Sequence, residues 1–217
     1  LGTPDATLVR QARRLSLIVA AAMFMEQLDG TVIVTALPQM AKSFHVTATD
    51  LSIGITAYLL TVACCIPLSG WAADRFGSRN VFAGAIVVFT AASIACGLSA
   101  SVTMFVAARV LQGLAAALMS PVGRLVVVRN TPKSQLMNAL SLLVWPALIA
   151  PVMGPPLGGF ISTYFTWRWI FFLNVPLGLV GASLGLAFVP QQKAERRPPF
   201  DAQGFLYLAV CLGALMY

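Results

Sequence analysis

Apolar residues in this chain fall into long runs that are separated by short polar connections. The runs cover residues 15–38, 51–70, 81–100, 102–124, 136–160, 169–189 and 204–217. Each of the first six contains at least 20 residues, which is the length of α-helix that crosses the ~30 Å hydrocarbon core of a bilayer. The pattern therefore predicts an all-α integral membrane protein in which six helices span the membrane.

The seventh run, residues 204–217, has only 14 residues and is too short to cross the same core. We therefore expect the chain to stop inside a seventh span, as the N-terminal portion of a longer protein. The segment before it, residues 190–203, is charged and proline-rich, as linkers often are. The predicted organisation is an N-terminal segment (1–14), a six-span bundle (15–189), a loop (190–203) and a truncated seventh span (204–217).

The composition excludes other classes of protein. Strongly apolar residues make up 59% of the chain and charged residues only 10%, with a mean hydropathy of +0.85, whereas soluble domains contain about 25% charged residues. A disordered chain is excluded as well, because such chains are poor in aliphatic and aromatic residues. The four cysteines all lie inside apolar runs and His45 is the single histidine, so we expect no metal site, no cofactor and no catalytic residues.

The net charge of +7 is explained better by membrane topology than by nucleic-acid binding. When the N-terminus is placed in the cytoplasm and the spans alternate, eleven of the fourteen lysines and arginines lie on the cytoplasmic side. Lys42 and Arg168 lie outside, and Arg109 falls within a span. This bias obeys the positive-inside rule. We therefore predict a multi-pass protein of the plasma membrane (the inner membrane of a bacterium), with segment 1–14 and loop 190–203 in the cytoplasm and no nucleic-acid partner.

Three ionisable side chains occur inside the predicted spans, where such groups are costly and usually functional. Glu26 and Asp29 share one face of the first helix because they are three positions apart, and Arg109 lies in the fourth span. Asp29 and Arg109 are each seven residues, about 10 Å, from the predicted outer ends of their helices, so we expect them to meet. One interpretation is a static bridge between two helices. The other is a proton- or cation-binding site, in which two carboxylates face one arginine and leave one titratable group free.

Two further segments suggest moving parts. The fifth span contains four prolines and the sequence GPPLGG at 154–159; proline bends a helix, and glycine permits close helix packing. The connection GWAADRFGSRN follows the second span at 70–80; Gly70 and Gly77 permit a tight turn, and its charged residues exceed what a turn requires. A merely kinked helix and a topological anchor remain open as alternatives to a hinge and a gating latch.

Several of these segments resemble motifs of the major facilitator superfamily, in particular its fourteen-span drug:proton antiporters of the EmrB/QacA type. They occur in the order and at the topological places typical of that family, and the resemblance covers residues 15–217. The similar segments are LDGTVIVTALP (28–38), GWAADRFGSR (70–79), RVLQGLAAA (109–117), GPPLGG (154–159), WRWIFFLNVPLG (167–178) and FDAQG (200–204). The chain departs from the family motifs at Val34, Ala72, Ser78, Ser141 and Ala150.

The resemblance implies roles for individual residues. Asp29 and Arg109 would form the proton-coupling pair, with Glu26 as a contact for the substrate or a cation. The loop motif would act as a conformational latch, and its matching residues are Gly70, Asp74, Arg75, Gly77 and Arg79. The antiporter motif of the fifth span would act as a hinge through Gly154, Pro155, Gly158 and Gly159.

The function implied by this resemblance is proton-coupled export of small amphipathic or cationic compounds by alternating access, with the proton gradient as the coupling force. Facilitated or proton-coupled uptake of sugars or metabolites on the same fold is the alternative, and an intramembrane enzyme or a non-transporting assembly subunit is a third hypothesis. The expected partners are a small-molecule substrate, the lipid bilayer and the C-terminal half of the same transporter. A periplasmic adaptor protein is a further candidate, as for EmrB-like proteins.

Overall fold

The computed structural model describes residues 6–191, together with residues 201, 203–205, 207 and 211. Eight α-helices follow one another between residues 6 and 188: α1 (Ala6–Phe44), α2 (Ala48–Cys65), α3 (Leu68–Phe76), α4 (Ser78–Leu98), α5 (Val102–Asn130), α6 (Leu136–Tyr164), α7 (Arg168–Phe172) and α8 (Asn174–Phe188). Six helical segments are long and apolar enough to cross a membrane. The part of the chain that the structure describes contains no β-strand. The predicted all-α membrane fold is confirmed.

The six spans agree with the apolar runs, although their ends differ. The first run belongs to a helix of 39 residues, Ala6–Phe44. The sixth span is divided into α7 and α8 at Leu173, where Pro176 lacks the N–H that would bond the carbonyl of Phe172. The predicted seventh span lies mostly outside the described residues. Just before it, the Asp201 carboxylate accepts the backbone N–H of Gly204 at 2.9 Å, as a helix N-cap does.

Contacts between helix ends show that consecutive spans run antiparallel. At one end of the bundle, Arg129 at the end of α5 pairs with Asp74 of α3, and Gln191 donates to the carbonyl of Phe76. We call this the basic end, because it holds Arg10, Arg13, Arg14, Arg75, Arg79, Arg129 and Lys133. At the opposite end, Arg168 donates to the carbonyls of Gly97 (2.5 Å) and Ser99 (3.2 Å) and so satisfies the C-terminus of α4.

The helices pack around α5 and α1. α5 lies against α2 and α4, α4 also lies against α8, and α1 runs along α6 and crosses α5. Two buried apolar clusters fill these interfaces, one built around Phe82 and Phe89, the other around Phe105 and Phe171. In the second cluster Phe105 and Phe171 meet edge to face with ring centroids 5.9 Å apart, and Trp167 packs on Phe171 at 6.2 Å. The bundle interior is therefore mostly apolar, which sets the cost of any charge placed within it.

Local sequence explains where several helices begin. Thr47 caps α2 by accepting the backbone N–H of Asp50 at 3.1 Å, while the Asp50 carboxylate accepts the N–H of Thr47 at 3.2 Å, which is a complete capping box. Ser101 caps α5 by accepting the N–H of Met104 at 3.2 Å. The chain reverses between α1 and α2 at His45, whose φ is 56°. These caps fix the start of α2 and of α5, the two helices that carry much of the site described below.

The connection after the second span differs from the prediction in one respect. The helix breaks near Pro67, and α3 then continues to Phe76. Gly70 lies inside α3 and takes no part in the turn, although the sequence indicated that it and Gly77 permit one. The reason is packing: Ser69, Ala72 and Ala73 of α3 are buried against the bundle and keep the segment helical. The turn is made by Gly77, whose φ of 89° is the one positive glycine φ among the described residues.

Candidate functional site

A buried ion pair joins α1 to α5 in the middle of the bundle. The guanidinium Nη1 of Arg109 lies 2.7 Å from Oδ2 of Asp29, and neither side chain has any solvent exposure. The expectation that the two residues meet is confirmed. They lie at equal depth in two antiparallel helices, which places them at the same level of the bundle. A pair in so apolar a setting is strongly constrained, because loss of either partner leaves an uncompensated charge.

The Asp29 carboxylate receives two more hydrogen bonds, both on its other oxygen. Gln112 donates through Nε2 to Oδ1 at 3.0 Å, and Asn174 at the start of α8 donates through Nδ2 to the same oxygen at 2.7 Å. Arg109 also donates to Oε1 of Gln112 at 2.6 Å, which is possible because the two residues are three positions apart on α5. The Asp29 carboxylate therefore accepts hydrogen bonds from three N–H donors that belong to two helices.

The arginine is also held from the side of α2. Its guanidinium carbon lies 4.1 Å from the centre of the Tyr58 ring, within range of a cation–π interaction. Gly113 makes this approach possible, because a Cβ at position 113 would lie 2.7 Å from the backbone oxygen of Tyr58. We call Tyr58, Asp29, Arg109, Gln112 and Asn174 the central cluster.

Three polar atoms of the central cluster have no partner. The buried Nε and Nη2 of Arg109 and Oδ1 of Asn174 make no hydrogen bond within the described residues. Asn174 is further connected to α4, since its Nδ2 donates to Ser93 Oγ at 3.0 Å and Ser93 in turn donates to the carbonyl of Phe171 at 2.9 Å. The cluster thus connects α1, α2, α4, α5 and α8 and keeps unused donors and one unused acceptor in its interior.

Glu26 does not share Arg109 with Asp29, so the expectation that two carboxylates face one arginine is wrong. Glu26 instead accepts a hydrogen bond from the Ser120 hydroxyl of α5 at 2.5 Å. The charged groups that interact with Glu26 are Arg124 and Asp29. Three positions along a helix rotate a side chain by roughly 60° at 3.6 residues per turn, which is enough to turn Glu26 toward a different part of α5. The two carboxylates therefore occupy separate sites.

The loop motif lies at the basic end, where one of its charges is paired. Asp74 accepts a hydrogen bond from Arg129 of α5 at 3.2 Å, with side chains 29% and 34% exposed. Arg75 is exposed, and Arg79 has a buried Nε without a partner among the described atoms. Asp74 thus ties α3 to α5. The latch role of the loop motif stays a prediction.

The antiporter motif packs on α1 beside the central cluster. α6 is one continuous helix, Leu136–Tyr164, in spite of its four prolines. A Cβ at Gly154 would lie 2.7 Å from Cβ of Thr31, and one at Gly158 would lie 2.7 Å from the backbone oxygen of Val32. Gly159 has open space around it and Pro155 is exposed. Two of the four predicted hinge residues therefore form a close helix contact, and the hinge role stays a prediction.

Several members of these sites were not predicted from the sequence. Asn174, Ser93, Tyr58 and Ser120 were not singled out, and Arg129 was counted only as a topological charge. Asn174 carries the clearest sequence indication, because a side-chain amide inside the apolar segment WIFFLNVPLG needs a partner. Among the described residues, no three histidine, cysteine, aspartate or glutamate side chains lie close enough together to bind a metal ion.

Comparison with known proteins agrees with this architecture. The model of the Major Facilitator Superfamily matches residues 19–215. The protein named "Putative multidrug resistance protein MdtD" from Salmonella paratyphi B is 45% identical over 198 residues, which cover 91% of this chain and 42% of the relative, and the same values hold for the protein of that name from Salmonella typhi. The chain thus spans about two fifths of the length of these curated relatives.

Solved structures share the fold at low sequence identity. The proton:xylose symporter XylE superposes with a TM-score of 0.75 at 16% identity, over 95% of this chain and 52% of that one. The human organic anion transporter MFSD10 superposes with a TM-score of 0.69 at 18% identity, over 94% of this chain and 54% of that one. The likeness concerns the arrangement of helices and carries no information on cargo. The motifs, the six-span bundle and the family match over most of the chain all agree. This chain belongs to the major facilitator superfamily, a family of membrane transporters and not of enzymes.

Proposed function

We propose that the transporter containing this bundle is a proton-coupled exporter of small amphipathic or cationic compounds, an antiporter of the fourteen-span EmrB/QacA type that works by alternating access. In this proposal the bundle sits in the plasma membrane with its N-terminus in the cytoplasm, and a second bundle completes the substrate cavity. The proton gradient is the coupling force and no cofactor takes part. The partners are the substrate, the bilayer and the second bundle.

The observation that carries the proposal is the buried Asp29 carboxylate. Its charge is balanced by Arg109, which is fixed to a different helix. A small displacement of α5 relative to α1 would lengthen the 2.7 Å contact and remove the donors of Arg109 and Gln112 together. An unpaired carboxylate in an apolar interior takes up a proton rather than stay charged. Helix movement and proton uptake are thereby linked at one residue, as coupled transport requires.

Glu26 is proposed as the contact for cationic substrates. It is separate from the proton-coupling pair, it is partly exposed, and its one hydrogen-bond donor is the neutral Ser120 hydroxyl. A carboxylate that is not neutralised by a direct ion pair can attract a cationic amine. The proposal therefore assigns the two carboxylates of α1 different tasks, the proton to Asp29 and the cargo to Glu26.

The direction of transport is supported by the curated relatives. Proteins that are 45% identical to this chain bear the name multidrug resistance protein, whereas the proton:xylose symporter is similar at 16% identity. Drug export therefore fits the sequence better than sugar uptake. In the proposed cycle, Asp74 and Arg129 hold α3 to α5 in one conformation, and the glycines of α6 let α1 shift against α6.

The test is transport by the whole transporter in proteoliposomes under an imposed pH gradient, with ethidium as a cationic probe. We expect Asp29→Asn to abolish uphill efflux. Asp5→Asn is the matched control, since Asp5 belongs to the predicted N-terminal segment outside the spans, and it should transport at the wild-type rate. Glu26→Gln should lower ethidium transport more than transport of a neutral dye. Uphill efflux by Asp29→Asn at the wild-type rate would contradict the coupling assignment, and proton-driven xylose uptake would favour the symporter alternative.

A further inference from the structure

The side-chain amide of Asn174 is an unusual partner for a carboxylate that binds and releases a proton. Its Nδ2 donates both to Asp29 Oδ1 (2.7 Å) and to Ser93 Oγ (3.0 Å), while its Oδ1 is buried without a partner. The residue itself is 1% exposed. An amide has a donor and an acceptor on opposite sides, and a half-turn about its last side-chain bond exchanges them.

Protonation of Asp29 creates a conflict that one of its neighbours must resolve. Oδ1 of Asp29 faces two N–H donors, from Gln112 and Asn174, and an acid O–H at that oxygen has no acceptor beside it. Gln112 cannot supply one, because its Oε1 is already bonded to Arg109 at 2.6 Å and lies 3.7 Å from Cys96 Sγ. In the central cluster, Oδ1 of Asn174 is the one fully buried acceptor without a partner among the described atoms.

We propose that Asn174 is a positioning residue whose amide reverses with the charge of Asp29, donating to the carboxylate and accepting from the acid. The inference rests on the proposed function, in which Asp29 carries the coupling proton. In the step, one O–H bond forms at Asp29 Oδ1, the proton comes from bulk water, and Arg109 keeps its charge. The acid then donates to Asn174 Oδ1, and Gln112 continues to donate to Asp29.

Three features keep the free-energy cost of the reversal small. In both orientations one amide atom is bonded to Asp29 and the other is unpartnered, so the count of unsatisfied buried atoms does not change. Ser93 can follow the reversal, because a hydroxyl both donates and accepts: it now donates to the Phe171 carbonyl and would turn toward Asn174 Oδ1. A small cavity of about 10 Å³, which Asp29 and Asn174 line among apolar side chains, adjoins the amide.

The other charged and titratable groups around Asp29 come from the helices packed on α1. They are Arg109 of α5, Tyr58 of α2, Cys96 of α4 and Glu26 on α1 itself. α6 and α8 contain no charged residue, and Arg168 of α7 is bonded to carbonyls at the end of α4. Arg109 acts on Asp29 in both protonation states. None of these groups changes its hydrogen bonding with the charge of Asp29 in the way that Asn174 does. Asn174 is therefore the neighbour that can stabilise either protonation state of Asp29 by turning in place.

The experiment is an infrared titration of the whole transporter in detergent, without substrate, using ¹³C-labelled asparagine. The acid band of Asp29 is identified by its loss in Asp29→Asn, and the amide band of Asn174 by its loss in Asn174→Leu. We expect the Asn174 carbonyl band to move to lower wavenumber as pH falls, with the same midpoint as the growth of the Asp29 acid band. The shift reports the new bond from the acid to an oxygen that had no partner.

Two substitutions add a second readout. Asn174→Leu should raise the midpoint of the Asp29 band by about one pH unit, because a charge-assisted bond to the anion is lost and a weaker bond to the acid is lost with it. Ser93→Ala should raise the midpoint by less, because Ser93 can accept from Asn174 and still donate to the Phe171 carbonyl only while Asn174 donates to Asp29. The matched controls are Asn138→Leu and Ser183→Ala, whose side chains are exposed and whose midpoints should equal the wild-type value.

The outcomes separate this inference from the proposed function. If the Asp29 band titrates but the Asn174 band stays fixed, or Ser93→Ala leaves the midpoint unchanged, the reversal is wrong while proton coupling stands. If no Asp29 acid band forms over the pH range in which the transporter stays folded, both the coupling assignment and the reversal are overturned. Ser93→Ala decides the matter even if Asn174→Leu does not fold, because its readout is the Asp29 band.

Discussion

Two acidic–basic pairs tie α5 to other helices, Asp29–Arg109 in the middle of the bundle and Asp74–Arg129 at its basic end. Their arginines are twenty positions apart on one helix, about 30 Å along its axis. The inner pair is wholly buried, with a 2.7 Å contact and two further donors on the carboxylate. The outer pair is about one-third exposed, and a single 3.2 Å bond joins its partners.

The difference teaches that surroundings, more than pairing, decide what an ion pair can do. Water and salt screen the outer pair, so either partner can be lost at little cost. The inner pair is shielded from solvent, so the loss of one partner leaves the other charge uncompensated. A group that must change its charge once per transport cycle therefore belongs in a buried environment like that of the inner pair.

The largest expected difference is in stability on removal of each arginine. Arg109→Met should cost roughly 3–5 kcal/mol, since it leaves a buried carboxylate without its counter-charge. Arg129→Met should cost less than about 1 kcal/mol, as for other exposed pairs. Thermal unfolding of the purified transporter measures both. Combining Asp29→Asn with Arg109→Met should recover most of the lost stability. Equal losses of stability for the two arginine variants would contradict the difference between the inner and the outer pair.

The packing of α6 on α1 should matter next. Gly154→Ala places a methyl group against Thr31, two positions from Asp29, and overpacking of this kind costs about 1–3 kcal/mol. Gly159→Ala is the matched control, because nothing lies within 4 Å of its added Cβ. We expect lower thermal stability and slower efflux for Gly154→Ala alone. The same loss in both variants would show that the motif does not act through this contact.

Asp74→Asn should have the smallest effect. We expect reduced transport with normal expression and thermal stability, because the pair contributes little energy but, in the proposed cycle, favours one conformation. Raising the salt concentration should slow wild-type transport toward the rate of the variant, since salt screens an exposed pair. The check is efflux rate at two salt concentrations. Wild-type rates for Asp74→Asn at both would return this loop to the role of a topological anchor.

Much of this fold follows from the sequence, and the reason is physical. A bilayer requires helices of about 20 apolar residues, so run lengths fix the number of spans, and alternation fixes which residues lie at equal depth. Asp29 and Arg109 could be paired on that basis. Rotation of a helix about its axis is set by packing, which explains why Glu26 meets Ser120 and not Arg109.

Other features required the three-dimensional arrangement. Asn174 reaches Asp29 across 145 positions of sequence, and nothing in its own segment specifies that partner. Tyr58 approaches Arg109 because Gly113 lets α2 and α5 touch, and this contact depends on residues of two helices that are distant in sequence. Of the two glycines that permit a turn after the second span, only Gly77 makes it, because burial of Ala72 and Ala73 extends α3 beyond the apolar run.

The most direct test of the central claim is proton release on substrate binding. Ethidium is added to the detergent-solubilised transporter in weakly buffered solution, and a pH-sensitive dye records released protons. If Asp29 carries the coupling proton, the wild-type protein and Glu26→Gln release protons when saturated with ethidium, and Asp29→Asn releases none while still binding the probe. Proton release by Asp29→Asn equal to that of the wild-type protein would contradict the account.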